Sequence, residues 1–600
     1  MSGPRYTMDE ADKILTAPGS LLEVETRVVE DRLLRVFKNL WPSARALWLH
    51  ATKQHADKIY VVYENQRFTF REMFERSVHC AAVFREVYGV RKGDRVVICS
   101  RNFPAYYVAF WACHLLGAVT SLVNAWLPLE PLQHCIALTK CKLILLDPER
   151  ANVIEPIVDG LKDMAGASGC IVMEEHEGKG LWKGMDNFGT IFSRSLANPE
   201  TVLDDPLITP EDDATLVFTS GTTGLPKGVL SSQRAFLTIL FTNAFIAGRD
   251  VLRRGEPFPP PPDAGPQKGA LLSTPLFHVT GTAVTLNATM HGYKLVLLRK
   301  WDVPEAARLC REENVRTLAG IPFMLTDLEN DLAGFPMESI TVGGAPVAGS
   351  LVVRSKETFP STIMANAYGL TETNSTAIGL GECRMPMLFL LLNEYYCSWG
   401  RLFSSARKQA RLCIFHRRVC LDIIWTSGIP PPVTECILMK KDVEAAPGEV
   451  GEVWLRGPGI MKRYYGDRAA TEKALTQDGW LMTGDLGYRD TEGFLFIKGR
   501  IKDIIIRGGE NVDCVSIESA LHTEPGVLEA AAVGVPDKRL GELVAAVVTV
   551  KPSWRGKVKE AKLLSLVKKL LPKFAVPVMV MVQDGEFGEF SIIFLSRGVY

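Results

Sequence analysis

Short, unalternated apolar runs recur along the first half of the chain. Arg95-Val96-Val97-Ile98-Cys99 and Leu143-Ile144-Leu145-Leu146 have the length and the lack of polar interruption of strands buried on both faces. Leu295-Val296-Leu297-Leu298 and Thr317-Leu318-Ala319-Gly320 repeat that signature further on, with helix-like segments between. Lys58 to Tyr63 and Arg67 to Phe70 predict a hairpin around Glu64-Asn65-Gln66. Ala105 to Leu127 carries no formal charge and has the length of a membrane span. Its pattern changes at Gly117, however, and it contains His114, Thr120, Ser121 and Asn124. It therefore reads as a buried helix, Ala105 to Leu116, followed by a buried strand, Ala118 to Val123. The expected class is α/β, built from large, mostly parallel, helix-covered sheets.

Around Gly499-Arg500-Ile501-Lys502-Asp503 the rhythm changes. A helix near Ser516 to His522 and strands at Ala530 to Val535 and Leu543 to Val550 come next. An amphipathic helix with Leu563, Leu564, Val567, Leu570 and Leu571 at helical spacing follows. The pattern divides the chain into an N-terminal extension (1–34), a large domain (35–501) and a small α+β domain (502–600). Two stretches fit neither domain. From Met385 to Trp425 the composition turns to Phe, Leu, Arg and Cys with no clean period, an anomalous insertion at about 385–425. Gly585 to Tyr600 stops without completing an element, so the small domain reads as incomplete at its end. Intron-derived or frameshifted sequence accounts for both; an isoform-specific membrane or partner loop is the alternative for the insertion.

Composition narrows the function. The 600 residues are 47% hydrophobic and 23% charged, as in a soluble globular protein. Lys plus Arg equals Asp plus Glu at 68 each, so no global field draws nucleic acid or an anionic membrane. The 13 cysteines are scattered without a CxxC pair, which favours reduced thiols in an intracellular setting. Met8-Asp9-Glu10-Ala11-Asp12 is acidic where a signal peptide needs a basic flank, and Ser596 to Tyr600 carries no peroxisomal signal. A cytoplasmic location, with no integral membrane segment, is the expectation.

The chemistry concentrates in Thr219-Ser220-Gly221-Thr222-Thr223-Gly224-Leu225-Pro226-Lys227-Gly228, which follows the apolar run Thr215 to Phe218. Two glycines, four hydroxyls and a lysine within nine residues suit a loop that wraps a polyphosphate with N–H groups, hydroxyls and one ammonium. It is not the usual P-loop, because Pro226 precedes Lys227 and Gly228 follows it. Position by position, the string resembles the phosphate loop of the AMP-forming adenylating enzymes: acyl-CoA synthetases, peptide-synthetase adenylation domains and luciferases.

The resemblance continues in order over roughly 35–380 and 428–580. Gly343-Gly344-Ala345-Pro346 offers a small-residue shelf against which a flat ring could lie, and Asn366-Ala367-Tyr368-Gly369-Leu370-Thr371-Glu372-Thr373 matches the family's nucleotide-binding segment. The resemblance implies that Asn366 meets the adenine amino group, Tyr368 stacks on the base, Thr371 touches the α-phosphate and Glu372 ligates Mg²⁺. In Gly479-Trp480-Leu481-Met482-Thr483-Gly484-Asp485, Asp485 would accept from the ribose hydroxyls, with Arg500 donating to the sugar or α-phosphate. Lys502 falls at the family's hinge, and Arg507-Gly508-Gly509-Glu510-Asn511 would present backbone to the CoA arm. His278 matches a histidine near the carboxylate of the acyl substrate. The acyl pocket is expected near Phe241–Ala247, His278–Thr282 and Gly343–Ala345.

These matches imply ATP, Mg²⁺ and CoA as cofactors, a small-molecule carboxylic acid as substrate, and catalysis by Lys227, Thr371, Glu372 and His278. The acid would be activated as an acyl-adenylate and transferred to CoA, a medium- or long-chain fatty acid being favoured. Two departures stand against full activity. Relatives carry a Gly-Lys pair near the C-terminus, whereas the last lysine here is Lys573. Loss of such a donor costs about 10²–10³ in rate. Gly428-Ile429-Pro430-Pro431-Pro432 also matches the family's Gly-Arg-Pro segment imperfectly. The alternative is therefore a catalytically impaired relative that binds nucleotide or acyl-adenylate, or performs only the thioester half-reaction.

Overall fold

Runs such as Val96–Ile98 and Leu143–Leu146 leave no polar face to turn to water, and they lie at zero exposure in the middle of a sheet. The computed structural model describes residues 5–173, 180–193, 196, 198–219, 225–258, 265–272, 274–320, 322–343, 355, 357–360, 362–380, 426–507, 510–537 and 539–583. The anomalous insertion and the C-terminal stretch fall outside the described residues.

The first sheet has eight strands. Gly228–Ser232 pairs antiparallel with Asp213–Phe218, and parallel strands follow in the order Val119–Leu122, Arg95–Cys99, Leu143–Leu146, Gly169–Val172 and Asp186–Asn187. Its other edge is the two-residue strand Arg463–Tyr464. The second sheet also has eight strands, parallel from Ile363–Tyr368 through Ser339–Gly343, Val315–Gly320, Gly269–Leu272 and Lys294–Leu297 to Ile59–Tyr63. The hairpin partner Gln66–Thr69 and the strand Ile378–Leu380 close its edges antiparallel. Helix Pro104–Leu116 is buried at every position, and the strand Val119–Leu122 follows it. Among the described residues one helix, Gln233–Arg254, has the length and apolarity to cross a membrane, and most of it is buried within the protein.

The third sheet was not anticipated in the sequence. Val443–Glu444, Glu435–Lys440, Gly451–Arg456, Leu481–Arg489 and Leu495–Arg500 form it, all antiparallel. After a single 3₁₀ turn, Ile501–Asp503, a separate sheet begins. It contains Glu510–Val512, Ile505–Arg507, Gly541–Val550 and Val527–Asp537, with Met579–Gln583 parallel to Gly541–Val550. Helices Cys514–Leu521 and Glu560–Leu570 cover this sheet around a core of their own, formed by Ile517, Leu521, Val544, Val548 and Leu563.

The N-terminal residues pack onto the large domain. Helix Met8–Leu15 lies against Gln233–Arg254, where Arg249 forks onto both carboxylate oxygens of Asp12 at 2.7 Å. The hairpin of Val24–Val29 with Arg32–Phe37 runs across residue 34. Leu15, Leu22 and Phe37 join the main core.

Parallel strands deliver their following loops to one edge, the usual place for a ligand in an open α/β sheet. Here that edge carries Thr219 from the first sheet, and His278, Gly343 and Tyr368 from the second. Asn102 ties the two edges together: its side-chain amide donates to the Thr274 carbonyl at 3.1 Å, and its oxygen accepts from the Leu276 N–H at 2.9 Å.

Candidate active site

The phosphate loop leaves the first sheet after Phe218 and returns at Gly228. Its mouth is closed by the Thr219 N–H donating to the Lys227 carbonyl at 2.9 Å, and by the Lys227 N–H donating to the Thr219 hydroxyl at 3.3 Å. Ser220, Gly221, Thr222, Thr223 and Gly224 lie outside the described residues, as do Gly344, Ala345, Pro346, Gly508, Gly509 and the Lys502 side chain. Lys227 is exposed, and its ammonium sits 5.0 Å from the ring centre of Tyr464.

Tyr464 was not anticipated. Its hydroxyl donates to Glu372 Oε1 at 2.6 Å, so the ring that underlies the loop lysine also holds the carboxylate expected to take the metal. Glu372 belongs to the 3₁₀ turn Thr371–Thr373. The Thr373 hydroxyl accepts from the Leu370 N–H at 2.8 Å, and the Met461 N–H donates to the Glu372 carbonyl at 2.8 Å. Among the described residues no three groups of the His, Cys, Asp or Glu kind gather as a cation site. A lone carboxylate suits Mg²⁺, which draws most of its ligands from substrate phosphates and water. Nothing in the Met461 to Asp467 string marks Tyr464 out from Tyr465. Only the pairing of Tyr464 with Val229, across from the loop's exit, selects it.

A second group lies on the neighbouring sheets. The Tyr368 hydroxyl donates to Asp485 Oδ2 at 2.7 Å, and Arg500 Nε donates to Oδ1 at 3.2 Å. Asp485 and Arg500 face each other across the antiparallel register, so their pairing follows from the strand alignment. The turn before Asp485 is fixed by the Thr483 hydroxyl, which accepts from the Asp485 N–H at 3.0 Å and donates to the Val453 carbonyl at 2.7 Å. Burial raises the Asp485 carboxyl above its ordinary range, opposed by Tyr368 and Arg500, and the charge of Glu372 adds to the rise. Tyr368 ends the strand Ile363–Tyr368 just before the turn Thr371–Thr373 that carries Glu372, which brings the two groups into one site.

Asn366 donates its amide N–H to the Thr426 carbonyl at 3.1 Å, which leaves its side-chain oxygen as the acceptor an adenine amino group needs. At Gly343 an added Cβ would come within 2.7 Å of the Ala367 carbonyl oxygen, so the shelf beside this strand requires glycine. His278 caps the helix Val279–His291, and its ring packs 4.8 Å from Phe277, which Trp126 meets edge-on. Burial lowers its pKa, so the ring is neutral near pH 7. Among the described residues no hydrogen bond, ion pair or ring contact joins His278 to Lys227, Glu372 or Asp485. Phe241 and Phe245, expected to line an acyl pocket, are core residues instead: Phe241 packs edge-on to Phe37 and Phe245 lies beneath Arg249.

Residues 48–465 match the AMP-binding enzyme family, and residues 516–586 match the AMP-binding enzyme C-terminal domain. A 2-succinylbenzoate–CoA ligase of Bacillus velezensis is 27% identical over 532 residues, covering 88% of this chain and 92% of that protein. A 2-methylpropanoate–CoA ligase of Humulus lupulus is 26% identical over 568 residues, covering 92% and 94%. Among solved structures, the o-succinylbenzoate CoA synthetase of Bacillus subtilis with its acyl-adenylate superposes with a TM-score of 0.68 at 24% identity, covering 93% of this chain and 97% of that one. That likeness establishes the fold.

Proposed function

The chain belongs to the AMP-binding enzyme family, and from that premise we propose that it is an AMP-forming acid–thiol ligase acting on an acid with an apolar body. In the first half-reaction a carboxylate oxygen bonds to the α-phosphorus of ATP, and pyrophosphate leaves as the α–β bridge breaks. In the second, the sulfur of CoA bonds to the acyl carbon, AMP leaves, and the thiol proton passes to solvent. The observation that carries the reading is the convergence of Lys227 and Glu372 on Tyr464, with Tyr368, four residues before Glu372, bonded to Asp485.

The protein's part is to position reactants and to meet charge that grows on the α-phosphate. Lys227 and the loop hydroxyls hold the β- and γ-phosphates. Asp485 and Arg500 take the ribose, Asn366 the adenine amino group, and Thr371 the α-phosphate. Glu372 would hold Mg²⁺, which would supply Lewis acidity toward the charge that grows there. His278, neutral in its apolar setting, gives the acid's carboxylate no counter-charge.

Phe277 against His278, with Trp126 edge-on to Phe277, supports an acid whose remainder is apolar, and a medium- or long-chain fatty acid is the substrate we favour. Acid-dependent formation of AMP and acyl-CoA tests this with acetate through oleate, coumarate, 2-succinylbenzoate and 2-methylpropanoate. Turnover confined to the last three would reject the fatty acid and keep the ligase; no turnover of any acid would reject the ligase. The second reading is a half-active relative, in which residues 574–600 supply no lysine to the site. It predicts that preformed acyl-AMP plus CoA yields acyl-CoA while ATP plus acid yields no pyrophosphate.

A further inference from the structure

Tyr464 lies in none of the motifs that define the site, yet it touches two of them. The strand Arg463–Tyr464 is two residues long and would not persist alone; its neighbours hold it. The Tyr464 N–H donates to the Thr471 hydroxyl at 3.0 Å. Lys462, just before the strand, donates its ammonium to Asp213 at 2.8 Å and to the Glu211 carbonyl at 3.0 Å. On the other side the Tyr465 N–H donates to the Gly228 carbonyl at 2.7 Å, one residue past the loop lysine. These contacts hold the strand in place, and the ring itself is buried.

The two ends of this side chain do different things. Its hydroxyl, 2.6 Å from Glu372 Oε1, fixes the plane of the carboxylate and leaves Oε2 for a metal. Its face, 5.0 Å from Lys227 Nζ, attracts the ammonium without consuming any of its three N–H donors, all of which stay available to phosphate oxygens. We infer that Tyr464 is a positioning residue that sets the distance between the metal-binding carboxylate and the phosphate-binding lysine. The inference rests on the ligase reading of this site and adds a residue to it. Tyr464 touches no substrate; it acts through Glu372 and Lys227.

The test is ATP binding to the full chain without acid or CoA, followed by calorimetry while Mg²⁺ is varied. Tyr464→Phe keeps the ring under Lys227 and deletes only the hydroxyl. We expect unchanged affinity for metal-free ATP and a rise of about 10- to 100-fold in the Mg²⁺ concentration that half-saturates the tightening of binding, the usual cost of losing a partner behind a metal ligand. Tyr464→Leu should also weaken metal-free ATP. In a Glu372→Ala background, Tyr464→Phe should change nothing further, because the hydroxyl acts only through that carboxylate. Wild-type Mg²⁺ dependence in Tyr464→Phe, or a full additional loss in the Glu372→Ala background, overturns the inference. A wild-type chain that binds no ATP, with or without Mg²⁺, overturns the ligase reading and the inference with it, and is told apart from the first result by the wild-type trace alone.

Discussion

His114 is fully buried, and neither ring nitrogen has a hydrogen-bond partner among the described residues. Its ring stacks on Phe236 at 5.8 Å and meets Phe110 edge-on at 4.6 Å. Burial lowers its pKa to about 3, against an ordinary value of 6.5. The sign follows directly. Below pH 6.5 the unfolded chain takes up a proton that the native state refuses until about pH 3, so stability is lost as pH falls through that window. The slope is about 1.4 kcal/mol per pH unit. His114→Phe keeps an aromatic ring in the stack and removes the titration. Urea melts at pH 7.5 and pH 5.0 should show the wild type losing about 2 kcal/mol more than this variant over the interval. Equal losses would mean that water reaches the ring. In the sequence His114 counted only as a polar break in an apolar run. A buried core histidine and a site histidine look alike there, and His278 differs only in the helix end that it caps.

At the scale of elements, glycine is read more safely than histidine. The turn that carries Glu372 closes so tightly that a Cβ on Gly369 would sit 1.7 Å from the Ser375 carbonyl oxygen. Gly369→Ala must therefore push the Thr371–Thr373 turn away from Tyr464. We expect at least an about ten-fold loss of Mg²⁺-dependent ATP affinity and a stability cost of about 1–3 kcal/mol, read by titration and urea melts. The docking of helix Met8–Leu15 makes a second prediction. Arg249 is 5% exposed and also donates to the Ile429 and Pro430 carbonyls, so Asp12→Ala removes the carboxylate paired with this buried guanidinium. With Asp12 29% exposed, the expected cost is about 2 kcal/mol, below the roughly 3–5 of a fully buried pair. Elements made of contiguous apolar residues were legible: Arg95–Cys99 and Leu143–Leu146 fall as strands with the bounds their composition suggested. The third sheet was not, because Glu435–Lys440 and Gly451–Arg456 alternate buried with part-exposed residues and carry Glu, Lys and Arg within the strand. Phe241 and Phe245 misled for the opposite reason: aromatic residues on a helix satisfy a core as readily as a pocket, and Phe37 supplied the core.

For the whole molecule the decisive feature is that the chain builds two kinds of core. Ile517, Leu521, Val544, Val548 and Leu563 form a cluster separate from the one that includes Val96, Leu145 and Phe245. The residues assigned to ATP, namely Lys227, Asn366, Thr371, Glu372, Asp485 and Arg500, all precede the turn Ile501–Asp503, and the second cluster begins at Ile505. A ligand stabilises only the unit that binds it. Thermal unfolding is therefore expected in two transitions, of which MgATP moves the one belonging to residues before 501. At about 100 times its dissociation constant ATP contributes about 2.7 kcal/mol. For so large a unit that corresponds to an upward shift of about 3 °C. Calorimetric scans with and without MgATP, together with intrinsic tryptophan fluorescence, separate the two, since Trp554 is the only described tryptophan after the turn. A single transition that moves as a whole would mean that the interface between the units carries as much stability as the small domain itself. Rotation of that domain between half-reactions would then have to break a contact of comparable size, and the hinge assigned to Lys502 would lose its physical basis.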